Sequence, residues 1–92
     1  MIYVKKIKMK PGCNNSLKCE EIDSLYLEGS EINQFYKKSI VHDFLKENPN
    51  TIKVKDNYGP FVLPAVSING EKYVKSQPNN TMIDNLLSLP RV

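Results

Sequence analysis

The stretch Phe61-Val-Leu-Pro-Ala-Val-Ser-Ile-Asn-Gly-Glu-Lys-Tyr-Val74 decides the fold, because it reads as two strands joined by a tight turn. Asn69-Gly70 between two apolar runs is a strong short-range hairpin signal and predicts a two-residue type I′ turn. Ile68 then stands opposite Glu71, so that Val66 faces Tyr73 and Ala65 faces Val74. Phe61 to Ile68 is the most continuous apolar run in the chain and predicts an inner strand, although Pro64, which has no N–H to donate, demands a bulge or an edge there. A hairpin of this kind buries one face, and the rest of the chain must supply the cover.

Upstream, Thr51 to Lys55 alternates Ile52 and Val54 with lysines, the pattern of a half-buried strand, and Asp56-Asn57-Tyr58-Gly59-Pro60 is a turn. Before it, Ile40, Val41, Phe44 and Leu45 fall at i, i+1, i+4 and i+5 and predict a helix over 36–47. Asn48-Pro49 ends it, with Asn48 suited to the left-handed conformation. His42 and Asp43 are neighbours on this helix, where successive side chains diverge by about 100°, so they are poorly placed to act as one acid–base pair. The segment between Gly29 and Phe35 stays open: a helical turn capped by Ser30, or a loop.

At the N-terminus Ile2 to Met9 reads as a strand whose parity breaks, since Ile2 and Val4 alternate out of step with Ile7 and Met9. That break predicts a β-bulge near Lys5-Lys6. A polar, turn-rich connection from Pro11 to Ser16 leads to a second strand, about Lys18 to Leu27, which Gly29 would end. Downstream of the hairpin, the strand Lys72 to Lys75 passes through polar residues to a short helix, Thr81 to Leu89, with Met82, Ile83, Leu86 and Leu87 on one stripe and Pro90 as its stop. The order strand, strand, helix, three strands, helix is α+β: one antiparallel sheet with the longer helix packed on a face and the short C-terminal helix closing an edge. The 92 residues form a single domain with a small core, so a ligand site is expected to be shallow or shared between subunits of a homo-oligomer.

The formal charge of +3 hides two opposed blocks. Residues 1–18 hold five lysines and no acid, and residues 19–35 hold five acids and no lysine or arginine. On neighbouring antiparallel strands these would face one another as cross-strand pairs, each contributing about 0.2 to 1 kcal/mol. No apolar run is long enough to span a membrane, and lysines interrupt the N-terminus before a signal-peptide core forms, which together predict a cytoplasmic protein. Cys13 and Cys19 match no common zinc spacing, and with His42 as the single histidine a four-ligand Cys/His site within one subunit is impossible, so no metal or cofactor is expected. The two thiols read as reduced and structurally incidental, with a bridge between them across a local hairpin as the alternative.

Gly70-Glu-Lys-Tyr-Val-Lys-Ser-Gln-Pro-Asn-Asn-Thr-Met-Ile-Asp-Asn-Leu-Leu-Ser-Leu-Pro90 resembles the C-terminal signature of the family DUF3892: a glycine, a lysine and tyrosine, a basic residue with a hydroxylated one, a proline, then Asp-Asn-Leu and Leu-Pro. Tyr3-Val-Lys-Lys-Ile7 and the central helix fit the same layout. One departure stands out, since Lys75-Ser76 occupies the place of an expected Arg-Thr pair. The resemblance implies a small bacterial or viral protein and supports the α+β outline; it assigns no chemistry.

Catalysis is not expected, for there is no Gly-rich phosphate loop, no serine or cysteine beside a base, and Glu20-Glu21, adjacent in a strand, would point to opposite faces. Asp84 and Asn85 have a structural reading as cap and loop brace. Their functional reading is a binding site for a small anion such as a nucleotide, with backbone N–H groups at Asn80-Thr81, the ammonium groups of Lys72 and Lys75, and Tyr73 or Tyr3 for stacking. Such a protein invites comparison with phage sponges that sequester nucleotide signals of bacterial immunity, an analogy without a matched motif. The alternative is nucleic-acid binding through Lys5, Lys6, Lys8, Lys53 and Lys55 with Tyr3 and Tyr58 interleaved. A third reading is a protein-interaction module that offers an exposed sheet edge to its partner.

Overall fold

In a computed structural model, which describes residues 1–78 and 83–92, six strands and one α-helix form a mixed α+β globule. The elements are β1 (Ile2–Met9), β2 (Ile22–Glu28), β3 (Asn33–Lys37), α1 (Lys38–Glu47), β4 (Ile52–Val54), β5 (Val62–Val66) and β6 (Lys72–Ser76), with 3-10 turns at Cys19–Glu21 and Asn85–Ser88. They make two sheets rather than the expected one: a four-stranded sheet ordered β3-β2-β1-β4 and a separate β5-β6 ribbon. Pairing is antiparallel except that β4 lies parallel to β1, Ile2 beside Ile52 and Val4 beside Val54. The reason is α1, which carries the chain back across the sheet after β3 so that β4 enters in the direction of β1. Past Val54 the chain turns away with Lys55 at φ 72° and Gly59 pressed on Val54, where a Cβ would lie 1.7 Å from the Val54 carbonyl oxygen. A side chain at position 59 therefore has no room.

The parity break in β1 is a bulge: Val4 pairs with Leu27 and the next pair is Lys6 with Tyr26, leaving Lys5 extra. Its effect is to put Val4, Ile7 and Met9 all into the core. A second irregularity at Asp23 shifts register again between Lys8 and Met9. β2 starts at Ile22 instead of Lys18, because residues 19–21 close a 3-10 turn in which the Glu21 N–H donates to the Lys18 carbonyl; Glu20 and Glu21 are thus not strand residues. The segment that had no assignment resolves into a hairpin. The Gly29 N–H donates to the Ile32 carbonyl around Ser30-Glu31, and β3 follows. The helix then begins at Lys38, since Lys37 (φ −61°, ψ 146°) is still extended.

Its buried stripe also differs from the expected one. Lys38, Val41, His42 and Leu45 face inward, whereas Ile40 and Phe44 are 56% and 39% exposed. Packing against both β2–β3 and the β5–β6 ribbon selects the i, i+3, i+4, i+7 set over the adjacent pairs. At the helix end, Asn50 (φ 59°) takes the left-handed conformation, and Asn48 (φ −134°) instead donates from Nδ2 to the Phe44 carbonyl at 3.1 Å.

In the hairpin that opened the sequence reading, Ala65 pairs with Tyr73 and Val66 with Lys72, one residue off the expected register. Gly70 alone has positive φ (84°); its N–H donates to the Ser67 carbonyl and the Ser67 N–H to the Glu71 carbonyl. This is a three-residue loop in which a type I turn is followed by a left-handed glycine. The extra loop residue puts Ile68 at the tip, fully exposed, so the apolar run is not an inner strand; among the described residues β5 pairs along its length with β6 alone, and Pro64 sits on an edge as its missing N–H requires.

The core joins both sheets and the helix through Val4, Ile7, Leu25, Leu45, Ile52, Val62, Val74 and Leu86. The C-terminus is a short 3-10 turn rather than the expected helix, and the start of that expected helix, with Met82, lies outside the described residues. Leu86, Leu87 and Leu89 are buried and Ile83 is exposed. The final residues then complete the free edge of β1, where the Ile7 N–H donates to the Pro90 carbonyl and the Val92 N–H to the Ile7 carbonyl, both at 3.0 Å.

Candidate nucleic-acid interface

One face of the four-stranded sheet covers the core, and the residues of opposite parity form the other. Register aligns them in rows across the strands. The first row is Lys37, Ser24 and Lys8; the second is Phe35, Tyr26 and Lys6; the third is Asn33, Glu28, Tyr3 and Lys53. Phe61 extends the third row through a bridge to Lys53. The Lys5 bulge matters here, because it puts Tyr3 and Lys6 on the outer face while Val4 and Ile7 point inward.

The rings and ammonium groups of this face interlock. Tyr26 and Phe35 meet edge to face at 5.1 Å between centroids, and the Tyr26 hydroxyl donates to Asn33 Oδ1 at 2.6 Å. Lys6 stands 4.8 Å over the Tyr26 ring, Lys5 5.5 Å over Tyr3, and Lys53 4.9 Å over Phe61. The Tyr3 hydroxyl donates to Asn57 Oδ1, and Lys53 Nζ to the Asn57 carbonyl at 2.9 Å. These contacts orient the rings before any ligand arrives. Acids on the face are few: Glu28 lies 3.7 Å from Lys5, and Asp23 holds Lys37 at 2.9 Å. The hydroxyl of Ser24 and then the Lys37 ammonium hold the Asp23 carboxyl below the usual carboxylate range. Lys6, Lys8 and Lys55 are exposed, and Tyr58 is almost fully so, at 97%. The expected pairing of the lysine-rich strand with the acidic one is limited to Lys5–Glu28; Lys6 faces a ring and Lys8 a serine, so positive charge survives on this face.

The residues named for a small-anion site are distributed differently. Tyr3 belongs to the outer face just described. Lys72 Nζ is 2.9 Å from Asp43 Oδ1 on α1, on the core side of the sheet. The same Asp43 oxygen lies 3.1 Å from Nδ1 of the buried His42. Asp43 is held below its usual range first by Lys72 and then by His42. Tyr73 is half-buried against the core and its hydroxyl is pushed upward by that burial, while Lys75 is exposed.

Asp84 caps the 3-10 turn, accepting from the Leu86 N–H at 2.9 Å, and clasps β6 by accepting from the Ser76 N–H (2.9 Å) and hydroxyl (2.8 Å). The Asn85 N–H reaches Ser76 Oγ at 3.3 Å. The buried Cys19 thiol lies near the Asp84 carboxylate, and burial, followed by that charge, raises it far above an ordinary thiol. Asn80 and Thr81 lie outside the described residues. Lys72, Asp84 and Tyr3 therefore do not converge.

Three features of the molecule were missed by sequence reasoning. Tyr26, Phe35 and Phe61 join the lysines only once β3 and its register are known. Glu71, next to the hairpin glycine, accepts from both Lys10 and the buried Lys38 at 2.8 Å, tying the end of β1 and the start of α1 to the ribbon. The bonds from Lys10 and then Lys38 hold its carboxyl down at about 2. Cys13 is free and donates to Glu21 Oε2 at 3.3 Å, a bond that raises the thiol. Among the described residues no group of His, Cys, Asp and Glu is arranged to hold a metal ion, and no helix is long and apolar enough to cross a membrane.

The fold and this face define a small α+β protein whose solvent-facing sheet carries interleaved aromatic and cationic side chains. Residues 4–90 match the family model described as protein of unknown function (DUF3892), nearly the whole chain, and the protein belongs to that family. No curated protein and no solved structure matches it. The family signature gains a physical account here: Ser76 and Asp84 form the clasp, Leu86 and Leu89 enter the core, and the Pro90 carbonyl pairs with β1.

Proposed function

We propose that the protein binds single-stranded nucleic acid, without catalysis, across the outer face of its four-stranded sheet. The observation that carries this reading is the register that sets Phe35, Tyr26 and Tyr3 on successive strands with Lys6, Lys8, Lys5 and Lys53 among them. Neighbouring strands are about 4.8 Å apart, so rings on adjacent strands offer successive bases a stacking surface. The exposed lysines then meet the phosphates that flank each stacked base. A single strand fits better than a duplex, because only unpaired bases present their faces to side chains on a flat sheet. A small nucleotide-like anion at Lys72, Tyr73, Lys75 and Asp84 draws less support, since the Lys72 ammonium is engaged by Asp43 and the Asp84 carboxylate by Ser76.

Fluorescence anisotropy with labelled oligonucleotides of about a dozen nucleotides, within the usual site sizes of such faces, tests the proposal. Single-stranded ligand is expected to bind more tightly than the matching duplex, and log affinity to fall with log salt at a slope of about −2 if three phosphates are neutralised. Preference for the duplex, or an affinity indifferent to salt, would refute it.

A further inference from the structure

The edge of the four-stranded sheet formed by β3 is open. Among the described residues β3 pairs with β2 alone, and it is the outermost strand. The turn that precedes it fixes which of its backbone groups are unpaired. The Gly29 N–H bonds the Ile32 carbonyl, so Ile32, and by alternation Gln34 and Tyr36, direct their N–H and C=O toward β2. Asn33 and Phe35 therefore direct theirs away from the sheet, as does the Lys37 N–H, while the Lys37 carbonyl accepts the first bond of α1. An edge with unpaired groups is a template for another strand, and this one carries no proline and no bulge to blunt it.

Beneath the same strand lies an apolar groove of about 140 Å³, walled by Ile32, Tyr36, Ile40, Val41 and Phe44 with Ile2 and Leu27 at its floor. Ile40 and Phe44 are the α1 residues that the sequence pattern would have buried and that stay exposed. An unpaired edge and an exposed apolar rim thus adjoin. Both are relieved by a single event.

We propose that the protein forms a homodimer by antiparallel pairing of β3 with β3 of a second copy, about a two-fold axis through Phe35. Asn33 then stands opposite Lys37 of the second copy and Phe35 opposite its own counterpart; the Phe35 pair exchanges two backbone bonds, and each Lys37 N–H donates to the Asn33 carbonyl of the other copy. Charge favours this register: Glu31, exposed in the turn that opens the strand, lies at the end of the interface where Lys37 of the other copy arrives, a lysine that Asp23 of its own copy also holds. The interface is self-complementary, as a two-fold requires. It also brings the two apolar grooves together on the core side.

The two-fold is perpendicular to the sheet, so both outer faces look the same way. The four-stranded sheet becomes an eight-stranded one, and the row Lys6, Tyr26, Phe35 continues into Phe35, Tyr26 and Lys6 of the second copy. Dimerisation needs no nucleic acid, and its failure would leave the binding proposal untouched.

Sedimentation equilibrium over a wide concentration range, without nucleic acid, is the test. The mass is expected to rise from 10.5 kDa toward twice that value. Two variants separate the interface from the fold. Lys37 already has φ −61°, the angle proline imposes, and its N–H points off the edge, so Lys37→Pro removes an interface donor without disturbing the β2 pairing. Ile40→Glu puts a charge on the exposed rim at a helical position that tolerates it. Each is expected to weaken the dimer roughly tenfold or more, with the circular dichroism of the native protein retained. Lys6→Ala, on the outer face, is expected to leave the mass unchanged. A protein that stays monomeric at every concentration, or a dimer indifferent to both variants, would overturn the proposal.

Discussion

The outer face of the four-stranded sheet and the clasp between Ser76 and Asp84 are both built from polar residues, yet they are opposite in character. In the clasp each carboxylate oxygen of Asp84 accepts from Ser76, and one also accepts from the Leu86 N–H, so its bonding capacity is largely consumed within the fold. On the sheet face Lys6 lies over a ring and Lys8 stands in solvent, Lys5 and Lys53 each donate to one backbone carbonyl, and the ring faces meet other side chains only in part. A group whose polar partners are internal holds structure together. A group whose charge is only partly countered is available to a ligand. The residues that a motif search singles out, Asp84 and Asn85, fall on the internal side of this division; the residues that carry the proposed function are scattered through β1 to β4 and make no motif.

That contrast can be broken by mutation, and the largest effect is expected in the clasp. Asp84→Ala strands the buried Ser76 hydroxyl and the N–H groups of Ser76 and Leu86, and is expected to lower stability by about 2 to 3 kcal/mol in urea denaturation while the folded fraction keeps its nucleic-acid affinity. On the sheet face the signs reverse. Tyr26→Ala removes a stacking ring and is expected to cost about 1 to 3 kcal/mol of binding free energy, with a loss of stability of about 1 to 2 kcal/mol from its contacts to Phe35, Lys6 and Asn33 that leaves the protein folded. If Tyr26→Ala unfolds the protein, or Asp84→Ala abolishes binding by folded molecules, the division between the regions is misdrawn.

A subtler effect concerns pH and Glu71. Its carboxyl is depressed to about 2 from a model-peptide value of 4.5, so the stabilisation it confers is fully present above about 4.5 and is lost as pH falls toward 2. Thermal unfolding midpoints are expected to decline over that interval, and Glu71→Gln to decline less steeply. An identical pH dependence in the variant would show that the Lys10–Glu71–Lys38 cluster is not the cause. The smallest effect is that of Lys8→Ala, which removes an exposed lysine assigned to a phosphate by the proposed binding mode. It is expected to weaken binding a few-fold for every sequence tested and to flatten the salt slope by about 0.7.

The sequence was informative wherever a signal was local. The parity break between Val4 and Ile7 located the β1 bulge, Gly29 ended β2, and Pro64 marked an edge. It failed wherever tertiary contacts choose among local options. Asn69-Gly70 fits a two-residue and a three-residue loop equally well, and only the pairing of Ser67 with Glu71 decides between them. Ile40 and Phe44 match a helical stripe as well as Val41 and Leu45 do; the position of the β5–β6 ribbon decides which pair is buried. β3 itself was unreadable, because Asn33-Gln-Phe-Tyr-Lys37 on an edge strand has four of its five residues exposed and shows no clean alternation. Missing β3 hid the row of Phe35, Tyr26 and Lys6, and with it the aromatic half of the proposed site. Lys5, Lys6, Lys8 and Lys53 with Tyr3 were legible as residues and their convergence was not, whereas Lys55, named with them, lines a separate pocket with Tyr58, Asn85 and Leu89.

The most direct test of the account is a salt titration of binding to a labelled single strand, run in parallel on the native protein and on Lys6→Ala/Tyr26→Ala. The account predicts salt-dependent binding by the native protein and an affinity lower by about two orders of magnitude or more in the variant, its fold intact by circular dichroism. Equal affinities for the two proteins, or no binding by either at low salt, would contradict it.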